Sequence, residues 1–211
     1  IKHIYWNRCY EPDRIIADTI IKEKLKRKKI IIKSFNSSLL WEPWKIKNKS
    51  GRFYKVFTPF FYKGCLESEQ PRIPFNKPES LFFSKLIIDK NIYKFRYQGS
   101  KKTWTSKLKK IWKTSEKAAC LNFDNFLKNG AKDYYEGRNF PSKNSVSKIS
   151  PYLHWGQISP FRVWHKAKKN MEGDHKKIFL SEIGWREFSY NLLYHFPEIN
   201  ITNLKRQFDD L

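Results

Sequence analysis

Between positions 182 and 189 the sequence reads Glu-Ile-Gly-Trp-Arg-Glu-Phe-Ser, inside an apolar run with helical spacing from about Lys176 to Phe196. Residues three and four apart share a helix face, so Glu182, Trp185, Arg186 and Ser189 stand on one side. That side offers a carboxylate, a flat indole, a guanidinium and a hydroxyl. A packed core has no use for this set. A site that stacks a planar ring and hydrogen-bonds its edges needs it. The plainer reading is a half-buried Trp beside a Glu182–Arg186 helical ion pair, worth roughly a few tenths of a kcal/mol.

A second group lies upstream, in Ser145-Val146-Ser147-Lys148-Ile149-Ser150-Pro151. Hydroxyls and an ammonium precede a helix start. There the first-turn amides lack acceptors and the helix dipole is positive, which suits a phosphate. The alternative is an ordinary cap with a solvated Lys148. Tyr134 and Arg138 lie one helical turn apart just before this stretch. A phenol and a guanidinium in that relation either reach the same phosphate or form a surface pair. His154, His165 and His195 have neither metal-ligand nor triad spacing and read as structural, and His3 and His175 carry no signal. No Gly-rich phosphate loop, Cys/His zinc pattern or Ser-centred nucleophile elbow is present.

These side chains need elements to hold them. Ile4-Tyr5-Trp6 predicts a short buried strand. Pro12 to Lys28 predicts a helix with Ile15, Ile16, Ile20, Ile21 and Leu25 on one side, and Ile30 to Phe35 a second strand. Strand, helix, strand at this length implies a parallel βαβ unit, too small to stand alone and so part of a larger α/β domain. Ser37 to Gly64 reads as an aromatic loop. Cys65 to about Lys101, rich in Pro, Ser, Asn and Lys, reads as a connector crossing the surface. From Lys107 the pattern is helical, with Leu108, Ile111 and Trp112 on one face. Ala119, Phe123, Phe126 and Leu127 form another, and Asn129-Gly130 is a stop. Tyr134 to Lys148 is turn-rich. Ser150-Pro151 and Ser159-Pro160 predict two helix starts, each with a capping Ser and Pro in first position.

Composition narrows the class. At 211 residues the chain can bury a sizeable core in one domain or two, and 17% aromatic residues argue against disorder. Lys+Arg of 43 against Asp+Glu of 20 gives +23, which favours a polyanionic partner, nucleic acid first. The competing reading is lysine usage scattered along the chain. Cys9, Cys65 and Cys120 are odd in number and far apart, and read as reduced thiols in a reducing compartment. No stretch is long and apolar enough to span a membrane and no signal peptide is visible, so a soluble cytoplasmic protein is expected; a monomer is a separate expectation. The chain starts at Ile1 inside an apparent strand and ends at Leu211 without a closing element, which suggests a piece cut from a longer protein.

Taken together, four stretches resemble the DNA photolyase/cryptochrome family. Ser147 to Pro160, Ser-Lys-Ile-Ser-Pro-Tyr-Leu-His-Trp-Gly-Gln-Ile-Ser-Pro, resembles its flavin-binding signature. Trp185-Arg186-Glu187-Phe188 with Tyr194-His195-Phe196-Pro197 resembles the next. Tyr5 to Pro12 and Lys55-Val56-Phe57-Thr58-Pro59-Phe60 resemble the end of the family's antenna domain. The resemblance implies an α/β remnant, the end of a parallel-sheet antenna domain, over residues 1–61. A connector over 62–106 and the first half of a mostly α-helical FAD-binding domain over 107–211 would follow. It implies that Tyr134, Val146, Ser147, Lys148, Ile149 and Ser150 hold FAD. Glu182 and Trp185 would be the catalytic pair, meeting an extruded pyrimidine dimer, with Arg186 and Ser189 on the DNA-facing helix. The implied function is light-dependent splitting of cyclobutane pyrimidine dimers in ultraviolet-damaged DNA by electron transfer from excited reduced FAD, a carbon–carbon lyase reaction. This chain alone would be inactive. Relatives acting on (6-4) lesions tend to carry Gln where Glu182 stands. A second antenna chromophore of unknown type is a further expectation. A cryptochrome-type photoreceptor and an inactive basic DNA-binding remnant are the alternatives.

Overall fold

The computed structural model describes residues 1–82 and 103–209. β1 (His3–Asn7) and β2 (Ile31–Phe35) pair in parallel, with His3 opposite Ile31 and Asn7 opposite Phe35. The crossover is α1 (Pro12–Arg27), whose first residue is the proline that fixes a helical φ without wasting an amide. The βαβ topology is therefore as read, but its burial is not. Residues along both strands alternate between exposed and half-buried, Tyr5 is 56% exposed, and α1 buries no residue. Among the described residues the sheet has two strands. One helix cannot cover both faces of it, so the predicted buried strand and the α1 side bearing Ile16, Ile20 and Ile21 stay open to solvent.

β2 ends in a turn built by one side chain. The Asn36 carboxamide oxygen accepts from the Ser38 and Leu39 amides (3.1 and 3.0 Å), steering Leu39, Leu40 and Trp41 into the interior. The stretch expected to be a loop then forms a helix. α2 (Phe57–Pro59) runs directly into a π-helical turn over Phe60–Cys65. Pro59 falls in the first turn, where its missing amide costs nothing, and the wide turn that follows has no 3.6-residue period to detect. Phe57, Phe60, Phe61 and Cys65 are all buried, so Cys65 sits in the core and not on a surface connector. About half of that predicted connector, residues 83–102, lies outside the described residues.

The helical part starts with α3 (Thr103–Ile111), ahead of the expected Lys107. Its predicted apolar face is not buried. Leu108 and Ile111 are exposed, and Trp112, just past the helix, packs against Tyr152 at 5.9 Å. α4 (Glu116–Asn129) is capped by Ser115, whose hydroxyl accepts from the Ala118 amide at 3.0 Å. It ends at Gly130 as expected, though at φ −107° and not in a left-handed cap. There a Cβ would meet the Asn144 carbonyl at 2.6 Å.

The remaining helices are α5 (Tyr134–Gly137), α6 (Ser150–His154), α7 (Pro160–Asn170) and α8 (Gly173–His195). α7 begins after Ser159, but α6 begins one residue earlier than read, with Ile149 as its cap and Ser150 as its first helical residue. Neither start has a side-chain cap hydrogen bond. Phe123 and Phe126 of α4, Tyr134 of α5 and Phe179 of α8 pack with ring centroids 5.3–5.8 Å apart, close enough for favourable aromatic contact. α8 is the axis of this core. Gly184 lets it approach Phe61 closely, since a Cβ there would lie 2.4 Å from the Phe61 ring.

Candidate functional site

α5, the approach to α6 and the middle of α8 enclose a recess of about 400 Å³. Its lining brings together Tyr134, Val146, Ser147, Lys148, Ile149 and Ser150 with Glu182 and Arg186. Trp185 and Ser189 are not part of that lining.

Three local devices shape the recess. Gly137 lets the Ser145 hydroxyl reach the Asp133 carboxylate at 2.8 Å, because any Cβ would stand 2.4 Å from that hydroxyl. The Asn122 carboxamide donates to the Ser147 carbonyl at 2.8 Å, tying the segment to α4. Lys148 then adopts φ +51°, a left-handed conformation that costs a side-chain-bearing residue about 1 kcal/mol or more. The turn leaves Lys148 exposed at the recess and, among the described residues, without an acidic partner. Tyr134, which also lines the recess, is buried. Burial is the main cause pushing its phenol pKa up, with Arg138 opposing and Glu182 assisting.

The charges pair differently from the sequence reading. Glu182 does not pair with Arg186. Its carboxylate accepts from Arg138 at 2.5 Å, linking the end of α5 to α8. Arg186 donates to Glu187 at 2.7 Å and lies 5.1 Å over the Tyr190 ring. Arg186 also lines an adjoining cavity of about 610 Å³, so its guanidinium stands between two spaces.

Glu187 is the residue that sequence reasoning passed over. It is 2% exposed and accepts from the Leu40 amide (2.7 Å), the Trp41 amide (3.2 Å) and Arg186. Burial pushes its carboxyl pKa up to about 7 despite those three donors. A Glu flanked by Arg and Phe on a helix reads as solvated, and its amide partners lie nearly 150 residues away. No local signal exposes it.

Trp185 is 46% exposed. One face of the indole lies parallel on Phe57, centroids 3.7 Å apart and planes 9° apart, and Phe57 in turn lies parallel to Phe61 at 5.6 Å. Ser189 is exposed and its hydroxyl donates back to the Trp185 carbonyl at 2.9 Å. The arrangement gathers the exposed Lys148 side chain, a carboxylate and a guanidinium at the recess, and an aromatic ledge on the same helix. Among the described residues, no helix is long and apolar enough to cross a membrane, and no His, Cys, Asp or Glu cluster suits a metal ion.

Comparison with known proteins matches residues 1–79 to the family model described as DNA photolyase. The chain is 36% identical, over 98% of its length, to a deoxyribodipyrimidine photo-lyase of Agrobacterium fabrum, and covers 44% of that protein. It is 27% identical to cryptochrome-1 of Arabidopsis thaliana, across 92% of this chain and 30% of that one. Among solved structures it superposes on a bacterial class III photolyase from Agrobacterium tumefaciens with a TM-score of 0.89 and 35% identity, over 99% of this chain and 44% of that one. An archaeal photolyase from Sulfolobus tokodaii, described with two FAD molecules, shares the fold at TM-score 0.68 and 20% identity, over 100% of this chain and 42% of that one. The chain thus spans less than half the length of these relatives.

Proposed function

We propose, for a chain that belongs to the DNA photolyase/cryptochrome family, that the recess holds the diphosphate of FAD and that the adjoining face of α8 receives an extruded pyrimidine dimer. The whole protein would be a deoxyribodipyrimidine photo-lyase acting on ultraviolet-damaged DNA. The observation that carries this reading is the shared recess, which collects the cradle Val146–Ser150 and Tyr134 with Glu182 and Arg186.

The donor set fits an anionic diphosphate. Lys148 offers an ammonium held at the recess by its left-handed backbone, and Ser147 and Ser150 offer hydroxyls. FAD bound there would supply the light-driven one-electron chemistry that splitting a cyclobutane ring requires, with the electron returned at the end of the cycle. The chain's own residues bind and position. Trp185, braced on Phe57, presents a rigid surface for a flipped base, and extrusion is cheapest where pairing is already weakened. Glu182, held by Arg138, accepts a hydrogen bond from a base edge in a fixed geometry. On this reading residues 1–61 end an α/β antenna domain, 62–106 connect, and 107–211 begin the FAD-binding domain. The plant cryptochrome relatives favour a second reading, a blue-light photoreceptor.

Binding of a duplex bearing one thymine cyclobutane dimer, against the same duplex undamaged, separates the readings in the dark. Lesion preference that falls at least tenfold in Trp185→Ala supports repair. Equal binding to both duplexes by the unaltered protein contradicts it.

A further inference from the structure

Residues 45–55 form a compact cationic turn beside the proposed site. Between Glu42 and Glu67 there is no Asp or Glu, and Lys45, Lys47, Lys49, Arg52 and Lys55 are all exposed. None of the five joins an ion pair among the described residues. The turn is not a slack loop. The Asn48 side-chain oxygen accepts from the Ser50 amide (3.0 Å), the Ser50 hydroxyl (2.8 Å) and the Arg52 amide (2.9 Å), and Gly51 at φ +74° closes the reversal.

Its two sides are anchored. Ile46 is buried, and Phe53 stacks on His195 at the end of α8 with centroids 4.3 Å apart. The Asn191 carboxamide donates to the Tyr54 carbonyl at 3.3 Å, and two residues beyond Lys55 the chain supplies Phe57, the ring beneath Trp185. His195 lies ten residues from Trp185, about 15 Å along the helix. An anchored turn carrying five exposed cations without ion pairs among the described residues, at that distance from an exposed aromatic ledge, matches the charge and reach of a nucleic-acid backbone passing the ledge.

We propose that the turn 45–55 binds backbone phosphates of duplex DNA flanking the position faced by Trp185. The proposal rests on the DNA reading above, but its test does not require lesion recognition. Salt dependence of binding counts phosphate contacts, at about 0.9 in log–log slope per phosphate on duplex DNA. The test titrates an undamaged duplex and its dimer-bearing counterpart against salt, using a variant with Lys45, Lys47, Lys49 and Arg52 all changed to Gln. The control removes equal charge elsewhere, with Lys24, Lys26, Arg27 and Lys28 changed to Gln. Those residues close α1, whose start meets α8 through Glu11 and Tyr190 and whose sixteen residues carry its far end about 24 Å away.

The expected result is a slope lower by about 2 to 3 in the turn variant on both duplexes, with at least tenfold weaker binding at low salt, and an unchanged slope in the control. Equal losses in the two variants, or an unchanged slope in the turn variant, overturn the proposal. Single changes Lys47→Gln and Lys49→Gln, each expected to lower the slope by about 0.9, replace the fourfold variant if it melts early. Absence of any preference for the dimer refutes the repair reading and leaves the slope comparison intact.

Discussion

Replacing Glu187 by Gln isolates the electrostatic cost of the buried carboxylate that ties α8 to the Leu40–Trp41 turn. In the unfolded chain this carboxyl has its ordinary value of 4.5, and in the fold burial raises it to about 7. The folded state therefore binds the proton more tightly. The contribution is fully present below about pH 4.5 and is lost as pH rises through about 7. The difference corresponds to about 3 kcal/mol at 1.36 kcal/mol per pH unit. Gln keeps the shape and does not titrate. Denaturant unfolding of both proteins between pH 4.5 and 8 should show the unaltered protein losing about 3 kcal/mol relative to Glu187→Gln as pH rises. Above pH 7 the variant gains by shedding a desolvated charge and loses by turning an amide towards Arg186, so the slope and not the offset is diagnostic. A difference that is flat with pH would mean that the Leu40, Trp41 and Arg186 donors balance desolvation, and one that moves in favour of Glu187 on raising pH would mean that they outweigh it. Either outcome refutes the reasoning.

Other expectations follow from contacts already described. Gly184→Ala drives a methyl into the buried Phe61 ring and should cost about 1–3 kcal/mol, or more, in denaturant unfolding. Lys148→Ala, measured by calorimetric titration with FAD, should weaken binding about tenfold or more through loss of a charge-assisted phosphate contact. Lys148→Gly should weaken it similarly while relieving the left-handed strain, so that stability does not fall. Phe57→Leu should unbrace Trp185 and weaken binding of a dimer-bearing duplex. Phe57→Tyr, which keeps the stack, should not.

The parts of the fold written in local periodicity were legible. The parallel βαβ order, the Phe123–Phe126 face of α4 and most of α8 follow from spacing alone. Burial was misjudged where it depends on what lies across a face, as for Tyr5, Ile16 and Ile111, all exposed. The Phe57–Cys65 helix was missed because a first-turn Pro and a π-helical turn erase the usual period. Val146–Ser150 and the α8 face were visible as residue types, but that Glu182 and Arg186 share one recess with Val146–Ser150 while Trp185 and Ser189 stay outside it needed the fold. The ion pairs were not legible, since Arg138 reaches Glu182 across 44 residues and Glu187 finds its amides across 147. Trp185 reads in sequence as a stacking wall or a half-buried ring, and its brace on Phe57 emerges only when α2 is folded against α8.

Light-driven repair tests the central claim most directly. The assay gives a protein carrying this sequence at the length of its relatives reduced FAD and a duplex with one thymine cyclobutane dimer, and follows restored thymines under blue light. The account predicts repair that requires light and FAD and falls sharply in Trp185→Ala and Glu182→Ala. A flavin-loaded, folded protein that binds the lesion and restores no thymines under blue light would contradict it.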